Sequence, residues 1–487
     1  MLTGKTVVLG VTGGIAAYKA VEVASQLTQA GARVRVVMTG SAGKFIGPLT
    51  FHTITRQPVV TDIFELSAES SAEHVALGEA ADVVVIAPAT ANTIAKLAHG
   101  LADDILSCTV LATTAPVVLA PAMNVNMFQN QATQENLAKL EARGFTVVAP
   151  AHGRLASGRV GRGRLAELEN ILGTIRQVLG QHGDLAGRQV VVTAGGTQEP
   201  VDPVRHLGNR SSGKMGYALA EAARDRGARV KLIAAPVALA DPAGVEVIHV
   251  QTAAEMKTAV DRAVKGADAL IMTAAVADYR PEEAAPAKIK KENQELTLKL
   301  VRTPDILTEV RGKFIRVGFA AESDNLLANA RQKLHKKQLD IIVANDITAA
   351  GSTFGSDTNQ VTLIDREGKV AELPLLSKRE VAEKILDRVV GLLTHKSAVI
   401  SVKDYWIKHR RIQIPLSDRK GLPLTSSNKF ELVTDAGTIT TKLARGGQVW
   451  LGVGKWFQAH PELKAGDRLV ITVVKPEKRY RLEIVKG

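Results

Sequence analysis

The chain repeats one pattern: a short, almost wholly apolar run, an amphipathic helical stretch, then another apolar run. Between residues 5 and 150 the runs are KTVVLGV, RVRVVM, DVVVIAP, PVVLAP and FTVVAP. A second series follows: RQVVVTA, RVKLIAA, DALIMTAA, RVGFAAE and DIIVAND. A strand that is apolar at successive positions needs cover on both faces, and the crossover helices that join parallel strands supply it. The pattern therefore predicts an α/β chain built from two tandem doubly wound, Rossmann-like three-layer domains. QHGDLAGR, around residues 181–188, reads as the linker between them. Beyond the helical LSKREVAEKILDRVVGLLTHK at 376–396 the pattern changes. RIQIPL, KFELVT, TITTKL, DRLVITVV and RYRLEIV sit between Gly- and Pro-containing turns, which predicts a small C-terminal β-barrel. The expected domains are 1–180, 185–396 and 397–487.

At 487 residues the chain is too long for one core, and roughly 150 residues per domain agrees with three. Its single cysteine, Cys108, excludes an intrachain disulfide framework and a multi-cysteine zinc site. Cys108 lies in the apolar helical stretch DDILSCTVLATT, which places it in the core. The N-terminal MLTGKTVVLG lacks the layout of a signal peptide, and no apolar run approaches the ~20 residues of a membrane span. A cytoplasmic protein without membrane contact is the expectation. Charge is uneven: residues 396–487 hold 18 Lys and Arg against 8 Asp and Glu, which is +10 of the chain's +13. All three tryptophans, Trp406, Trp450 and Trp456, fall there too, and the break marks an added module.

One segment carries the densest chemistry. After the apolar Val190–Val192, TAGGTQEPVDPVRHLGNRSSGKMG (193–216) is crowded with glycine, hydroxyl and basic residues and runs into a helical pattern from Lys214. A strand ending in small polar residues at a helix start offers free N–H groups and the positive helix end to an anion. It is neither a P-loop nor a dinucleotide fingerprint, so spacing alone reads an anion or nucleotide site. The run closely resembles the phosphopantothenate–cysteine ligase signature, with Asn209 and SSGKMG the distinctive part. The later pieces AAVADY, KIKK, TPDIL, GFAAE and a helix bearing Lys333 and Lys337 follow that family's order, over about residues 185–392. A bare lysine pair four apart on one helix face is ordinarily a solvated face. The resemblance implies that Met272, Thr273, Ala274, Asp278, Pro304, Asp305, Ile306, Leu307 and Phe319 contact CTP, and that Lys288, Lys333 and Lys337 meet its phosphates with Mg2+. It further implies that Asn209 holds the acyl group of 4'-phosphopantothenate before cysteine attacks an acyl-cytidylate. Arg205 is a candidate phosphate ligand, and nothing in the sequence separates it from Arg210. No protein metal-ligand set is read.

In the first half Val11-Thr12-Gly13-Gly14-Ile15 closes the first strand and opens a helix. Alone this is an ordinary tight turn. Pro88–Thr93, Pro121–Asn124 and Glu73-His74 also fall at or beside strand ends, where ligands of open α/β sheets bind. Together GGIAAYK, EHVALGEAAD, PATANT and PAMN resemble the flavin-dependent phosphopantothenoylcysteine decarboxylases over about residues 1–175. By that resemblance Gly13, Gly14, Thr39, Thr90, Asn92 and Met123 lie in or near an FMN site, and His74 and Asn124 match the family's active-site pair. FMN-dependent oxidation of the substrate thiol would make loss of carbon dioxide from 4'-phosphopantothenoylcysteine feasible. The chain departs from the family at LASGRVGRGR: Ser157 stands where the pattern has a proton-donating cysteine. A hydroxyl is a far weaker acid than a thiol near pKa 8.5, so Ser157 does not inherit that role.

Both domains in this order resemble the bifunctional decarboxylase/ligase family of coenzyme A biosynthesis, over about four-fifths of the chain. The resemblance implies a homo-oligomer with ligase dimers in a larger assembly. Residues 397–487 fall outside it. Their charge and interleaved aromatics fit a nucleic-acid surface, and the module resembles small B3-like β-barrel DNA-binding domains, with His409-Arg410-Arg411 as a candidate contact. The alternative is that the tryptophans form a core which the charges merely solvate.

Overall fold

The computed structural model describes residues 2–64, 73–290, 296–322, 326–346, 355–394, 397–410, 412–414, 429–441, 448–449, 453–475 and 479–485. Lys291, Arg411 and Trp450 lie outside these. Met1–Gly312 with Arg316–Ala382 forms one compact unit, and Lys313–Ile315 with Glu383–Gly487 forms another.

The first sheet runs Val59–Val60, Arg33–Met38, Thr6–Val11, Val83–Ala89, Val117–Pro121 and Thr146–Val147, and every pairing is parallel. All but the short edge strand Val59–Val60 correspond to apolar runs read from the sequence. The continuous apolarity has a direct use. In the central strand Val7, Leu9 and Val11 enter one hydrophobic cluster while Val8 enters a second on the opposite face. The next strand divides the same way, Val83 and Val85 against Val84 and Ile86. Each buried Val, Leu or Ile contributes about 1.5–3 kcal/mol, so a polar residue at any of these positions would cost one face or the other.

The second sheet is larger. Its order is Glu246–His249, Arg229–Ala234, Gln189–Ala194, Ala269–Met272, Ile315–Glu322, Ile341–Asp346, Val361–Asp365 and Val370–Glu372. The expected strands are present, and Val361–Asp365 and Val370–Glu372 add an antiparallel edge that the sequence reading did not include. In both sheets the first strand lies centrally: the chain moves outward on one side, then returns to continue on the other. That reversal opens a crevice beyond the carboxyl ends of the strands, the place where open α/β sheets bind ligands.

The stretch expected to link the halves is firmly seated. Leu185 is fully buried, its N–H donates to the Arg226 carbonyl at 3.0 Å, and Asp184 accepts from the Arg226 guanidinium at 2.8 Å. The helices Leu168–Gly180 and Lys214–Asp225 approach so closely that a Cβ at Gly180 would stand 1.7 Å from the Asp225 carbonyl oxygen. Beneath this joint Asp225, with a fully buried side chain, accepts from Arg224 Nη2 at 2.6 Å and from Arg379 Nη1 at 2.8 Å.

The C-terminal unit contains a five-stranded sheet in the order Ser397–Ser401, Arg468–Lys475, Arg479–Val485, Phe430–Thr434 and Gly437–Thr441, with one parallel pairing. Among the described residues this sheet is open, so the pairings do not give the barrel expected from the strand pattern. The apolar face is covered by helices instead: Asp404–His409 brings Trp406, and Val453–Ala459 brings Trp456 and Phe457, into one core with Phe430, Leu469 and Tyr480. Trp406 and Trp456 are therefore core residues, 3% and 1% exposed, and are not available to stack on bases.

Candidate active sites

The crevice of the second sheet is stitched by hydroxyls at its strand ends. Thr193 lies one residue before the end of the central strand, and its side-chain oxygen accepts the Ala274 N–H at 3.1 Å. Thr197 accepts the Ala277 N–H at 2.9 Å, and Asn209 Nδ2 donates to the Val276 carbonyl at 3.0 Å. The two strand-end loops thus hold each other's backbone. Glycines permit the approach: a Cβ on Gly216 would lie 2.6 Å from the Ala194 Cβ, and Gly213 has φ +72°, a conformation that favours glycine. The start of helix Lys214–Asp225 is thereby pressed against the strand ends, with its free N–H groups facing the crevice.

A pocket of about 970 Å³ results. Asn209, Met272, Thr273, Ala274, Asp278, Pro304, Asp305, Ile306, Leu307, Phe319, Lys333 and Lys337 all line it. Lys337 Nζ lies 3.1 Å from Asp305. Burial opposes ionisation of Asp305, but its hydrogen bond with Lys337 outweighs that and leaves the carboxyl below its ordinary range. Two expected residues stand outside the lining. Lys288 is exposed on the loop after Pro281, and the Arg205 guanidinium is joined to Asp202, with Nη2 at 2.6 Å.

The pocket also holds cations that the sequence reading left without a role. Lys214 Nζ lies 2.6 Å from Asp357 and donates to the Gly355 carbonyl at 3.1 Å. Lys378 is only 8% exposed and donates to the Ser356 carbonyl; burial, then the neighbouring Lys214 charge, pull its amine below the ordinary lysine value. Lys214 was visible inside SSGKMG, but Lys378 had no local signal, being one more basic residue at the start of an amphipathic helix.

In the first sheet the switch point lies between Thr6–Val11 and Val83–Ala89. Thr12 Oγ1 donates to the Pro88 carbonyl at 2.7 Å and accepts the Thr90 N–H at 3.1 Å. Thr90 in turn caps helix Ala91–His99 through the Thr93 N–H, and Thr39 accepts the Ala42 N–H at 3.3 Å. A Cβ at Gly13 would stand 2.3 Å from the Ser41 Cβ, so these turns form a cradle that only glycine leaves open. Exposed Ile15 and Phe45 flank the same turns. A polar cradle at a helix start beside exposed apolar side chains fits a phosphate-bearing planar ring.

Asn124 and Ser157, 33 residues apart, meet: Asn124 Nδ2 donates to Ser157 Oγ at 3.2 Å. Asn124 also caps helix Val125–Gln129 by accepting the Asn126 N–H, which fixes its orientation. Ser157 is exposed on the turn between Ala151–Arg154 and Val160–Arg164. Met123, beside Asn124, is tied to this hairpin by its N–H to the Gly163 carbonyl at 2.9 Å. His74 sits in the first turn of helix Glu73–Ala80, and Asn92 is exposed in the helix that Thr90 caps; among the described residues no hydrogen bond joins His74 to Asn124 or Ser157. Cys108 is half-buried rather than in the core, because it falls on the outer side of helix Ile105–Ala112. Burial, then the charges of Asp104 and Asp103, push its thiol up, so it is a poorer acid than an ordinary cysteine.

A glycine-opened, hydroxyl-lined cradle in the first half and a nucleotide-sized pocket in the second, each at the switch point of a mainly parallel sheet, fit a flavoprotein fused to a nucleotide-using enzyme. Residues 1–180 match the family model described as Flavoprotein, and 185–393 match that of the DNA/pantothenate metabolism flavoprotein C-terminal domain. The chain is 48% identical over 398 residues to the coenzyme A biosynthesis bifunctional protein CoaBC of Bacillus subtilis, covering 80% of this chain and 98% of that one. It is 46% identical over 408 residues to the protein of that name from Mycobacterium tuberculosis, covering 80% and 97%. A crystal structure of a CoaBC C-terminal domain aligns at 41% identity and TM-score 0.38 over 43% of this chain and 98% of that one. It is the full-length sequence relatives that establish membership: the chain belongs to the CoaBC family of bifunctional coenzyme A biosynthesis enzymes. It is a phosphopantothenoylcysteine decarboxylase joined to a phosphopantothenate–cysteine ligase, and both family models stop short of the C-terminal module. No helix among the described residues is long and apolar enough to cross a membrane.

Proposed function

We propose that the two sites act in sequence on one substrate. In the second half the carboxylate of 4'-phosphopantothenate attacks the α-phosphorus of CTP, pyrophosphate leaves and an acyl-cytidylate forms. The amine of cysteine then attacks the acyl carbon, CMP leaves, and 4'-phosphopantothenoylcysteine results. The observation that carries this reading is convergence: apart from Lys288 and Arg205, every residue expected to meet nucleotide or substrate lines one pocket. Attack of an anion on a triphosphate is slow until charge is neutralised. Lys333 and Lys337 supply cations from one helix face, and Lys214 and Lys378 add two more. Mg2+ would enter with the triphosphate, since it takes one or two carboxylates together with phosphate oxygens, and Asp278 stands in the pocket. Asn209 orients the acyl group, and Lys288 neutralises phosphate charge from its loop.

In the first half Gly13, Gly14, Thr39, Thr90, Asn92 and Met123 would hold FMN, which when bound supplies the two-electron chemistry that makes decarboxylation feasible. His74 and Asn124 orient the substrate. Ser157 acts as the hydrogen-bond partner of Asn124, and the proton a cysteine would give comes from water or another group. That pairing favours one second reading, an active ligase whose decarboxylase half is slowed or altered. The test is the purified full-length chain given 4'-phosphopantothenate, cysteine, CTP and Mg2+, with products identified by mass. 4'-Phosphopantetheine supports two working halves; accumulated 4'-phosphopantothenoylcysteine supports the second reading; neither product refutes both.

Self-association in the cytoplasm is part of the proposal, supported by exposed Ile15, Phe45 and Leu49 on the first half; light scattering of the full-length chain tests it, and a monomer mass would end it. Nucleic-acid binding by residues 397–487, and closure of that module into a small barrel, stay as sequence-based proposals. The charge supports binding, with Lys408, His409 and Arg410 exposed on and after helix Asp404–His409. Salt-sensitive DNA binding lost on deleting 397–487 would support it, and no binding at low salt would end it.

A further inference from the structure

The carboxylate of Asp202 has no exposed surface, yet it is not beside the pocket. Its Oδ1 accepts the N–H groups of Val204 and Arg205, both at 2.8 Å. Its Oδ2 accepts Arg205 Nε at 3.0 Å, Arg205 Nη2 at 2.6 Å and, from 87 residues further along the chain, the Ile289 N–H at 3.1 Å. Arg205 Nη2 also donates to the Ile289 carbonyl at 3.1 Å. One residue, Ile289, is thus gripped at both its N–H and its C=O by a single ion pair. Beside it the Ala285 N–H donates to the Val201 carbonyl at 2.9 Å, so the two segments run together over several residues. A buried carboxylate is costly unless all its acceptor capacity is used, and here it is. Arg205 chiefly, with two N–H groups on Oδ2, aided by the three backbone N–H groups, holds the Asp202 carboxyl well below the usual carboxylate range.

The residue next to the gripped peptide is Lys288. We propose that Asp202 is a positioning residue for the ligase reaction: with Arg205 it clamps Ile289 and so fixes where Lys288 stands relative to the triphosphate. This rests on the reading that Lys288 neutralises phosphate charge. It also gives Arg205 a task beside the candidate phosphate contact, because its Nε and Nη2 hold Asp202 and Ile289. A misplacement of about 1 Å in such a group can lower a rate on the order of a hundredfold.

The test uses the full-length chain with Asp202→Asn, Lys288→Gln and the double variant. Asparagine keeps one acceptor oxygen and loses the charge, so an NH2 must face either the Ile289 and Arg205 donors or the Val204 and Arg205 N–H groups, and the clamp weakens without loss of side-chain volume. The expected result is a ten- to hundredfold fall in ligation kcat with a smaller change in KM for CTP, and faster tryptic cleavage after Lys288 and Lys290. Decarboxylation of supplied 4'-phosphopantothenoylcysteine serves as the control on the same chain and should be unchanged. The double variant should be no slower than Lys288→Gln alone, because the clamp acts through Lys288. If Asp202→Asn ligates at the wild-type rate while Lys288→Gln is slow, or if the two losses multiply, the clamp is overturned and the Lys288 reading stands. If Lys288→Gln is itself unimpaired, the Lys288 reading falls and the positioning role with it. Should Asp202→Asn fail to fold, Arg205→Lys, which keeps the charge but lacks the fork that joins Asp202 to the Ile289 carbonyl, carries the same expectations.

Discussion

The two α/β halves share a plan and differ in how their sites are enclosed. In each, hydroxyls at the switch point tie neighbouring strand ends together: Thr12 to Pro88 and Thr90 in the first, Thr193 to Ala274 and Thr197 to Ala277 in the second. In the second half the long segment 195–213 runs to the crevice and Asn209 is drawn to Val276, so its end lines a pocket of about 970 Å³. In the first half the Asn124–Ser157 pair sits at an exposed hairpin turn. The sheet supplies the place, and loop length decides whether a site is wrapped or displayed.

That contrast can be broken at several points. The largest expected effect is from Asn209→Asp: a carboxylate would replace the amide donor to Val276 and meet anionic substrates, and amide formation should fall by a hundredfold or more. Decarboxylation of supplied intermediate should be untouched, and a loss in both halves would deny their independence. Next, Asp225→Ala takes the buried carboxylate from Arg224 and Arg379 at the joint between the halves, with a cost of about 3–5 kcal/mol in denaturant unfolding. Both halves should lose activity at lower urea together; a shift confined to one half would show that the joint does not couple them. Ser157→Cys acts on the displayed site alone. A thiol near pKa 8.5 is a competent acid, so decarboxylation should rise on the order of tenfold while ligation stays level, measured as carbon dioxide release and nucleotide turnover.

The smallest effect lies in the C-terminal module. His460 Nε2 is 2.8 Å from Asp435, and its Nδ1 is 2.8 Å from the Trp456 carbonyl. Burial works against the imidazolium, but these two partners outweigh it and raise its pKa above 6.5. Asp435 is lowered below 3.8, its burial outweighed chiefly by the bond to His460. A raised histidine contributes stability that is complete below 6.5 and lost as pH rises through its folded value; the lowered aspartate loses its contribution only as pH falls through its own. The module should therefore melt a few degrees lower at pH 8.5 than at pH 6 by calorimetry, and His460→Gln should flatten that difference.

Much of this was legible in the primary structure, for identifiable reasons. Apolar runs such as KTVVLGV and RQVVVTA report burial on both faces, so strands and parallel topology followed directly. Residues 193–216 are contiguous, and their chemistry could be read in place. What escaped depends on distant residues meeting. Lys378 enters the pocket only because an edge strand and a helix return there, and Asp202 gains its importance from Ile289. Cys108 was placed in the core on the apolarity of its surroundings, while its helical phase turned it outward. In the C-terminal module strand-rich patterning gave no sign that two tryptophan-bearing helices cover the apolar face of the described five-stranded sheet.

Those tryptophans have an optical consequence. All three indoles in the chain belong to residues 397–487, and Trp456, with its ring N–H 3.0 Å from Asp435, is enclosed in that module's core. Light absorbed at the red edge of the protein band will therefore be re-emitted almost entirely from the C-terminal module, whatever the two enzymes are doing. A flavin in the first half would answer at visible wavelengths. The chain carries two spectroscopic channels, one for the appended module and one for the decarboxylase, with the ligase silent in both.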